Sequence, residues 1–367
     1  MIALRLAAKG HLEGETLVAR LVEQHRDDGA SFLGRDYQLM SQVDGWAYYI
    51  RDDHVITLRA KAEDLNGDVI MLPPNGSSAH RLIRANSQHN SLLITEQCDQ
   101  LCIMCSQPPK AKHSDMFAAF MLACILAPQD AVIGITGGEP MLFKDQLFAL
   151  MTQVYAERPD LTFHVLTNGQ HFAPEDIELL KSSALSSVLW AIPVYSSDPE
   201  THDRIVGKIG AFEKLVETFE LLSHTPAQIE VRTVIMQSNQ AHLAGLANFL
   251  TTYIPFASQW SIMQMERIGY GRMNWGDEFF DTSTSFSAVA RALCIAHGRG
   301  LEARLFNFPL CTVPSAYQRY AVASISDWKC KFEDFCEGCS LRDQCGGLFE
   351  WYDIGSGFKE IGHHEEP

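Results

Sequence analysis

Glu96-Gln97-Cys98-Asp99-Gln100-Leu101-Cys102-Ile103-Met104-Cys105 follows the apolar run Leu92-Leu93-Ile94. A strand that ends in a loop with thiols spaced C-x3-C-x2-C offers three ligands to one inorganic site. Zinc and iron–sulfur centres usually take four. The fourth ligand is therefore either a distant residue or not protein at all. His113 extends the pattern to C-x3-C-x2-C-x7-H, a zinc alternative, although Pro108-Pro109 intervenes. Three buried thiols with no ligand role are the remaining alternative.

Outward from this loop, short apolar runs alternate with longer amphipathic segments. Strands are expected at 91–95, 131–135, 161–166, 188–194, 229–235 and 259–263. Helices are expected at 115–126 with Ser114 as N-cap, and at 144–155, 174–181, 211–222, 241–250 and 286–297. Six β-α units in series imply a parallel sheet flanked by helices. The count stops short of eight, so the expected fold is α/β, a partial (β/α)6 TIM-type barrel over residues 89–305. Residues 1–88 read as a small strand-rich region, with strands at 46–50, 55–58 and 69–72 and a short helix at 17–24. Residues 306–367 lose the alternation and are rich in cysteine, as where metal ligation replaces an apolar core. The tail His363-His364 reads as solvated.

The 367 residues are 46% apolar and 20% charged, the composition of a globular protein with a sizeable core. The net charge of −16 disfavours nucleic acid as a partner. No apolar run reaches the length of a membrane span, and Met1-Ile2-Ala3-Leu4-Arg5 lacks the pattern of a signal peptide, so a cytoplasmic protein is expected. Ten cysteines in that compartment argue against a disulfide framework. Apart from the loop thiols they are Cys311, Cys330, Cys336, Cys339 and Cys345, with Cys124 and Cys294 read as small core residues.

Ligands of such a barrel bind at the loops after the strands. Thr136-Gly137-Gly138-Glu139-Pro140 follows the second strand and Thr167-Asn168-Gly169 the third. Paired glycines let backbone groups approach a ligand, and Glu139 would set a carboxylate beside a cationic amine. In the C-terminal region Cys336, Cys339 and Cys345 form C-x2-C-x5-C, a compact set that needs one thiol from outside. Cys311 is the favoured fourth ligand and Cys330 the alternative.

With these motifs the sequence resembles the radical S-adenosylmethionine (SAM) superfamily over about 89–305. The resemblance implies that Cys98, Cys102 and Cys105 hold a [4Fe-4S] cluster and that SAM completes the open iron. It implies that Gly137, Gly138 and Glu139 hold the methionyl amine, with Asn168, Ser196 and Arg232 as further cofactor contacts. An external low-potential donor would reduce the cluster, cleaving SAM to a 5′-deoxyadenosyl radical that takes hydrogen from a substrate. Met104 departs from the family's usual aromatic before the third cysteine, which weakens the adenine contact more than the cluster.

The C-terminal thiols resemble a shortened SPASM/twitch-like auxiliary-cluster domain of peptide-modifying members, implying a second [4Fe-4S] cluster on Cys311, Cys336, Cys339 and Cys345. The stretches 90–98, 105–110, 260–271 and 326–329 look like the C-type maturase of His-Xaa-Ser repeat peptide systems. That likeness implies a precursor peptide as substrate, with a second, B-type radical SAM maturase and a small accessory protein as partners. A radical enzyme acting on a small molecule and a non-catalytic iron–sulfur partner are the competing classes. His164 and Glu266 are candidate proton acceptors near the barrel mouth, and no catalytic residue is assigned.

Overall fold

A computed structural model describes residues 3–10, 14–23, 34–74 and 76–362. The chain divides into two compact units, Met1–Ile94 with Ser114–Thr136 and Phe143–His164, and Thr95–His113 with Gly137–Leu142 and Val165–Pro367.

In the first unit seven strands close into a barrel. They are β1 (Arg5–Lys9), β2 (Leu17–Val22), β3 (Asp36–Val43), β4 (Trp46–Arg51), β5 (His54–Leu58), β6 (Val69–Leu72) and β7 (Ser78–Ile83), in the spatial order β1-β5-β4-β3-β2-β6-β7. Antiparallel pairing of Arg5 with His80 closes it, and β2 with β3 is a parallel pair. The β3–β4 hairpin turns on Asp44-Gly45, both at positive φ, which matches the twist of the flanking strands. Leu6, Ala19, Leu21, Tyr49, Ile56, Leu58, Ile70 and Leu72 pack together as one core.

The helix expected at 17–24 is a strand, β2. Its run Leu-Val-Ala-Arg-Leu-Val has no clean alternation because it is buried on both faces. Leu17, Ala19 and Leu21 join the barrel core, and α1 (Phe117–Ile125) packs against the strand. Gln24 and the tail histidines lie outside the described residues. Ser114 does not cap α1: the N-cap position is Met116, and the Oδ1 of Asp115 accepts from the Phe117 N–H at 3.0 Å. The strands at 46–50, 55–58 and 69–72 are present. β1, β3 and β7 escaped the sequence reading, because their edges mix polar and apolar residues.

Next come β8 (Asn90–Thr95), β9 (Val132–Gly137), α2 (Lys144–Glu157) and β10 (Thr162–Leu166), with β8, β9 and β10 adjacent in chain order. Helices α1 and α2 pack together. The short helices α3 (Ile177–Leu180) and α4 (Ser183–Ser186) follow.

In the second unit β11 (Leu189–Pro193), β12 (Gln228–Val234), β13 (Gln259–Met263), β14 (Ala303–Phe306) and β15 (Ala321–Val322) form a parallel sheet in chain order. Between them run α5 (Pro199–Val206), α6 (Ala211–Ser223), α7 (Leu243–Tyr253), α8 (Gly269–Met273), α9 (Trp275–Glu278) and α10 (Ser287–Gly298). One sheet face is apolar and buried: Ile229, Val231, Trp260, Ile262, Ala303 and Leu305. The alternate positions are polar: Glu230, Arg232, Gln259, Ser261 and Arg304. A small hairpin, β16 (Cys330–Lys331) with β17 (Leu348–Phe349), completes the unit. Cys124 is buried as expected, whereas Cys294 on α10 is exposed, because the apolar stripe of that helix runs through Val289, Ala292, Leu293 and Ala296 instead. No helix is long and apolar enough to cross a membrane among the described residues.

His202 on α5 is 1% exposed, accepts from the Tyr195 N–H through Nδ1 at 3.3 Å, and has no partner for Nε2 among the described residues. Burial pushes its pKa down to about 4, against an upward pull from Asp203. The imidazole is thus neutral when folded and protonates near its ordinary value when unfolded. Its contribution to stability is complete above about pH 6.5 and is lost as pH falls through 4, a change of about 3 kcal/mol. Denaturant titrations of iron-free protein between pH 7.5 and 4 should show this slope, and a His202→Phe variant should flatten it.

Candidate cofactor and metal site

Leaving β8 at Thr95, the chain enters the cysteine loop. Cys98, Cys102 and Cys105 are each half-buried, and the Cys105 N–H bonds to the Cys102 carbonyl at 3.0 Å, closing a turn. Burial pushes the Cys98 thiol up to about 11 and raises Cys102 and Cys105 too, with the neighbouring thiols adding to the first two. The free thiols are therefore neutral, and an inorganic centre binding there displaces protons. Backbone N–H groups of Gln100 and Gln107 point at Cys98 and Cys105, donors suited to thiolate ligands.

Three separate segments hold this loop. The Leu101 and Ile103 N–H groups donate to the carbonyls of Val206 and Ile205 at 2.9 and 3.0 Å, at the end of α5. From α8, the Tyr270 N–H donates to the Cys105 carbonyl at 2.8 Å, and just beyond it the Asn274 Nδ2 donates to the Ile103 carbonyl at 2.7 Å. Gly269 (φ 58°) comes so close that a Cβ there would lie 2.5 Å from the Cys105 carbonyl oxygen. The third hold is the Asp99 carboxylate, which receives Asn168 Nδ2 at 2.7 Å and Lys208 Nζ at 2.5 Å, with His171 Nε2 at 3.4 Å. Burial alone would raise that carboxyl, but nearby His171 and the hydrogen bonds from Lys208 and Asn168 prevail and hold it well below the usual range.

The Gly-Gly-Glu turn sits directly on the loop. The Gly138 N–H donates to the Thr95 carbonyl and the Glu139 N–H to the Gln97 carbonyl, both at 2.7 Å. A Cβ on Gly137 would lie 2.2 Å from the Thr95 oxygen, and one on Gly138 2.0 Å from the Gln97 oxygen. The glycines are needed first for this backbone-on-backbone seating. Glu139 is fully buried. Its Oε1 accepts from Met141 N–H at 2.8 Å and Thr167 Oγ1 at 2.7 Å, and Oε2 from Asn168 N–H at 2.5 Å. Burial raises its carboxyl, opposed by these donors. Among the described residues, one of its roughly four acceptor sites, on Oε2, takes no hydrogen bond.

Asn168 thus joins both motifs, its N–H on Glu139 and its amide on Asp99. Ser196 is fully buried, with Oγ accepting from the Asp198 N–H at 3.0 Å. Arg232 lies 3.4 Å from the Glu230 carboxylate, with Nη2 3.2 Å from Met263 Sδ. Burial raises the Tyr195 hydroxyl well above its ordinary range, and Arg232 pulls it down. Met104 is 7% exposed and packs with Tyr195, Ile205, Val206 and Met265 in one core cluster. His113 Nδ1 is hydrogen-bonded to Thr95 Oγ1 at 3.1 Å. Of the candidate proton acceptors, His164 is half-buried on β10, and Glu266 pairs with Lys329 Nζ at 3.6 Å.

Cys311, Cys336, Cys339 and Cys345 line one pocket of ≈ 290 Å³, open mouth included, together with Leu310, Phe332, Leu341, Arg342 and Gly362. Cys345 Sγ accepts from Leu310 and Gly347 N–H at 3.4 Å each, and backbone groups of Gly362 and Glu333 serve Cys311 and Cys336. These are donors of the kind that support thiolates around a cluster. Cys330 is not among the pocket's lining residues, and its Sγ bonds to the Gly346 carbonyl at 3.2 Å. Among the described residues no three Cys, His, Asp or Glu side chains meet around a point suited to a single metal ion.

Sequence reasoning missed Asp99, Lys208, Gly269 and Asn274. Only Asp99, inside the cysteine motif, and the Gly269-Tyr270-Gly271 stretch carried any local signal.

A family model described as the Radical SAM superfamily matches residues 92–250. The chain is 27% identical over 155 residues to the sporulation killing factor maturation protein SkfB of Bacillus subtilis, covering 41% of this chain and 36% of that protein. It is 23% identical over 151 residues to an AdoMet-dependent heme synthase of Methanosarcina barkeri, covering 40% and 42%. The chain thus spans less than half the length of either curated relative. The structure of Streptococcus suis SuiB bound to S-adenosylmethionine superposes with a TM-score of 0.49 at 13% identity, covering 61% of this chain and 51% of that one.

Gly138→Ala forces a Cβ into the Gln97 carbonyl and should cost about 1–3 kcal/mol of overpacking. Gly276→Ala, where nothing lies within 4 Å of the added carbon, should be neutral. Thermal unfolding of both variants tests the seating of the turn.

Proposed function

We propose that this chain, whose residues 92–250 belong to the Radical SAM superfamily, is a radical SAM maturase that modifies a ribosomally made precursor peptide of the His-Xaa-Ser repeat type. The observation that carries the reading is the seating of the Gly-Gly-Glu turn on a loop that presents three thiols, through Gly138 N to Thr95 O and Glu139 N to Gln97 O. Such a site fits a [4Fe-4S] cluster with one iron left to S-adenosylmethionine. Cys98, Cys102 and Cys105 would hold it. When bound, the cluster and SAM supply one-electron cleavage of the C5′–S bond and a radical that takes hydrogen from the substrate.

The chain's own residues do the rest. Gly137, Gly138 and Glu139 receive the methionyl amine, Glu139 through the acceptor site its protein partners leave on Oε2. Arg232, paired with Glu230 at 3.4 Å, takes the methionyl carboxylate, and Asn168 and Ser196 border the cofactor. Residues 89–305 act as a partial barrel core, 306–367 as a domain holding a second [4Fe-4S] cluster on Cys311, Cys336, Cys339 and Cys345, and 1–88 as an N-terminal module. A low-potential donor, a second maturase and a small accessory protein complete the system, in the cytoplasm. Similarity to a protein named for killing-factor maturation supports the peptide substrate.

Similarity to a heme synthase favours a second reading, a radical enzyme acting on a small molecule. Co-expression with a His-Xaa-Ser precursor and the partner proteins separates the two: a mass shift on the peptide supports the first, and no shift favours the second.

After anaerobic reconstitution the chain should hold about eight irons. Replacing Cys98, Cys102 and Cys105 by Ala should remove about half of that iron and all 5′-deoxyadenosine formation. Cys311→Ser should deplete the second site, and Cys330→Ser should leave the iron content unchanged. Iron assays on the four proteins check each expectation.

A further inference from the structure

We propose that Asp99 and Lys208 form a positioning pair that holds the cysteine loop in a ligand-ready shape before any cluster is present; the inference rests on the reading of Cys98, Cys102 and Cys105 as cluster ligands. Asp99 stands between the first two thiols, and its carboxylate is bonded on both oxygens. Oδ1 takes Asn168 Nδ2 at 2.7 Å, and Oδ2 takes Lys208 Nζ at 2.5 Å with His171 Nε2 at 3.4 Å. Lys208 follows immediately on Gly207, the left-handed C-cap of α5, and Val206 and Ile205 beside it bind the Leu101 and Ile103 N–H groups.

The ammonium therefore reinforces a backbone attachment on the stretch between Cys98 and Cys105. Asn168 links the same carboxylate to Glu139, so one hydrogen-bonded chain runs Glu139–Asn168–Asp99–Lys208. A loop with three cysteines and no regular secondary structure has large conformational freedom, and fixing it in advance lowers the entropic cost of metal ligation. Charge-assisted bonds to one carboxylate from two distant segments do so with little added mass.

The test uses the full chain with Asp99→Asn, Lys208→Gln and Lys208→Arg. In the iron-free proteins, alkylation of Cys98 and Cys102 mapped by mass spectrometry should be several-fold faster for Asp99→Asn and Lys208→Gln than for wild type. After reconstitution, iron release from the first site to a chelator should speed by about 10–100-fold, the usual cost of losing an outer hydrogen bond at a metal site. The electron resonance signal of the reduced first cluster should broaden. Iron held at Cys311, Cys336, Cys339 and Cys345 should stay at the wild-type level, which shows an intact fold, and Lys208→Arg should restore slow release. Alkylation and release rates equal to wild type in both disrupting variants would overturn the proposal. If the wild-type loop takes up no iron, the cluster reading fails while the alkylation comparison still decides whether the pair orders the loop.

Discussion

The contact on which the site depends is made by backbone alone. Two N–H groups of the turn after β9 bind the carbonyls of Thr95, the last residue of β8, and of Gln97 just beyond it, at 2.7 Å each. No side chain at 137 or 138 is compatible with that approach. The spacing between the thiol-bearing loop and the Gly-Gly-Glu turn is thus fixed by covalent geometry and two hydrogen bonds, without flexible side chains. Glu139 then spreads the constraint. Its buried carboxylate gathers donors from Met141, Thr167 and Asn168, and Asn168 passes the connection to Asp99 in the middle of the cysteine motif.

The two cysteine sites solve one problem in different ways. Burial makes thiols reluctant to ionise, so a site meant for soft metal needs compensating donors. At the first site these are loop N–H groups of Gln100 and Gln107, with the loop itself braced by α5 and α8 and, through Asp99, by Asn168 and Lys208. At the second they come from Leu310, Gly347 and Gly362, brought by short turns and a two-residue hairpin, and little regular structure exists to brace them.

The alternation of strands and helices from β8 to α10 was legible because each element keeps one period over enough residues. The cysteine and Gly-Gly-Glu motifs were legible because their chemistry is local. What was hidden depends on distant pairing. Lys208 reaches Asp99 across 109 residues and looks in sequence like any exposed lysine after a helix. β2 read as helix because burial on both faces erased its period of two. The choice of Cys311 over Cys330 rested on the need for an outside ligand; of the two, Cys311 lines the pocket with Cys336, Cys339 and Cys345. Cys294 was misplaced because an apolar helical stretch does not reveal which stripe faces inward.

The central claim is that the loop at Cys98, Cys102 and Cys105 holds a cluster with an iron open to SAM, whereas the C-terminal thiols hold a closed one. Electron paramagnetic resonance of the reconstituted, dithionite-reduced chain, recorded with and without SAM, tests it most directly. The account predicts two overlapping cluster signals, of which SAM changes one, and that one is missing from the variant with all three loop cysteines replaced. A single zinc ion in the loop, or cluster signals that SAM leaves unaltered, would contradict it.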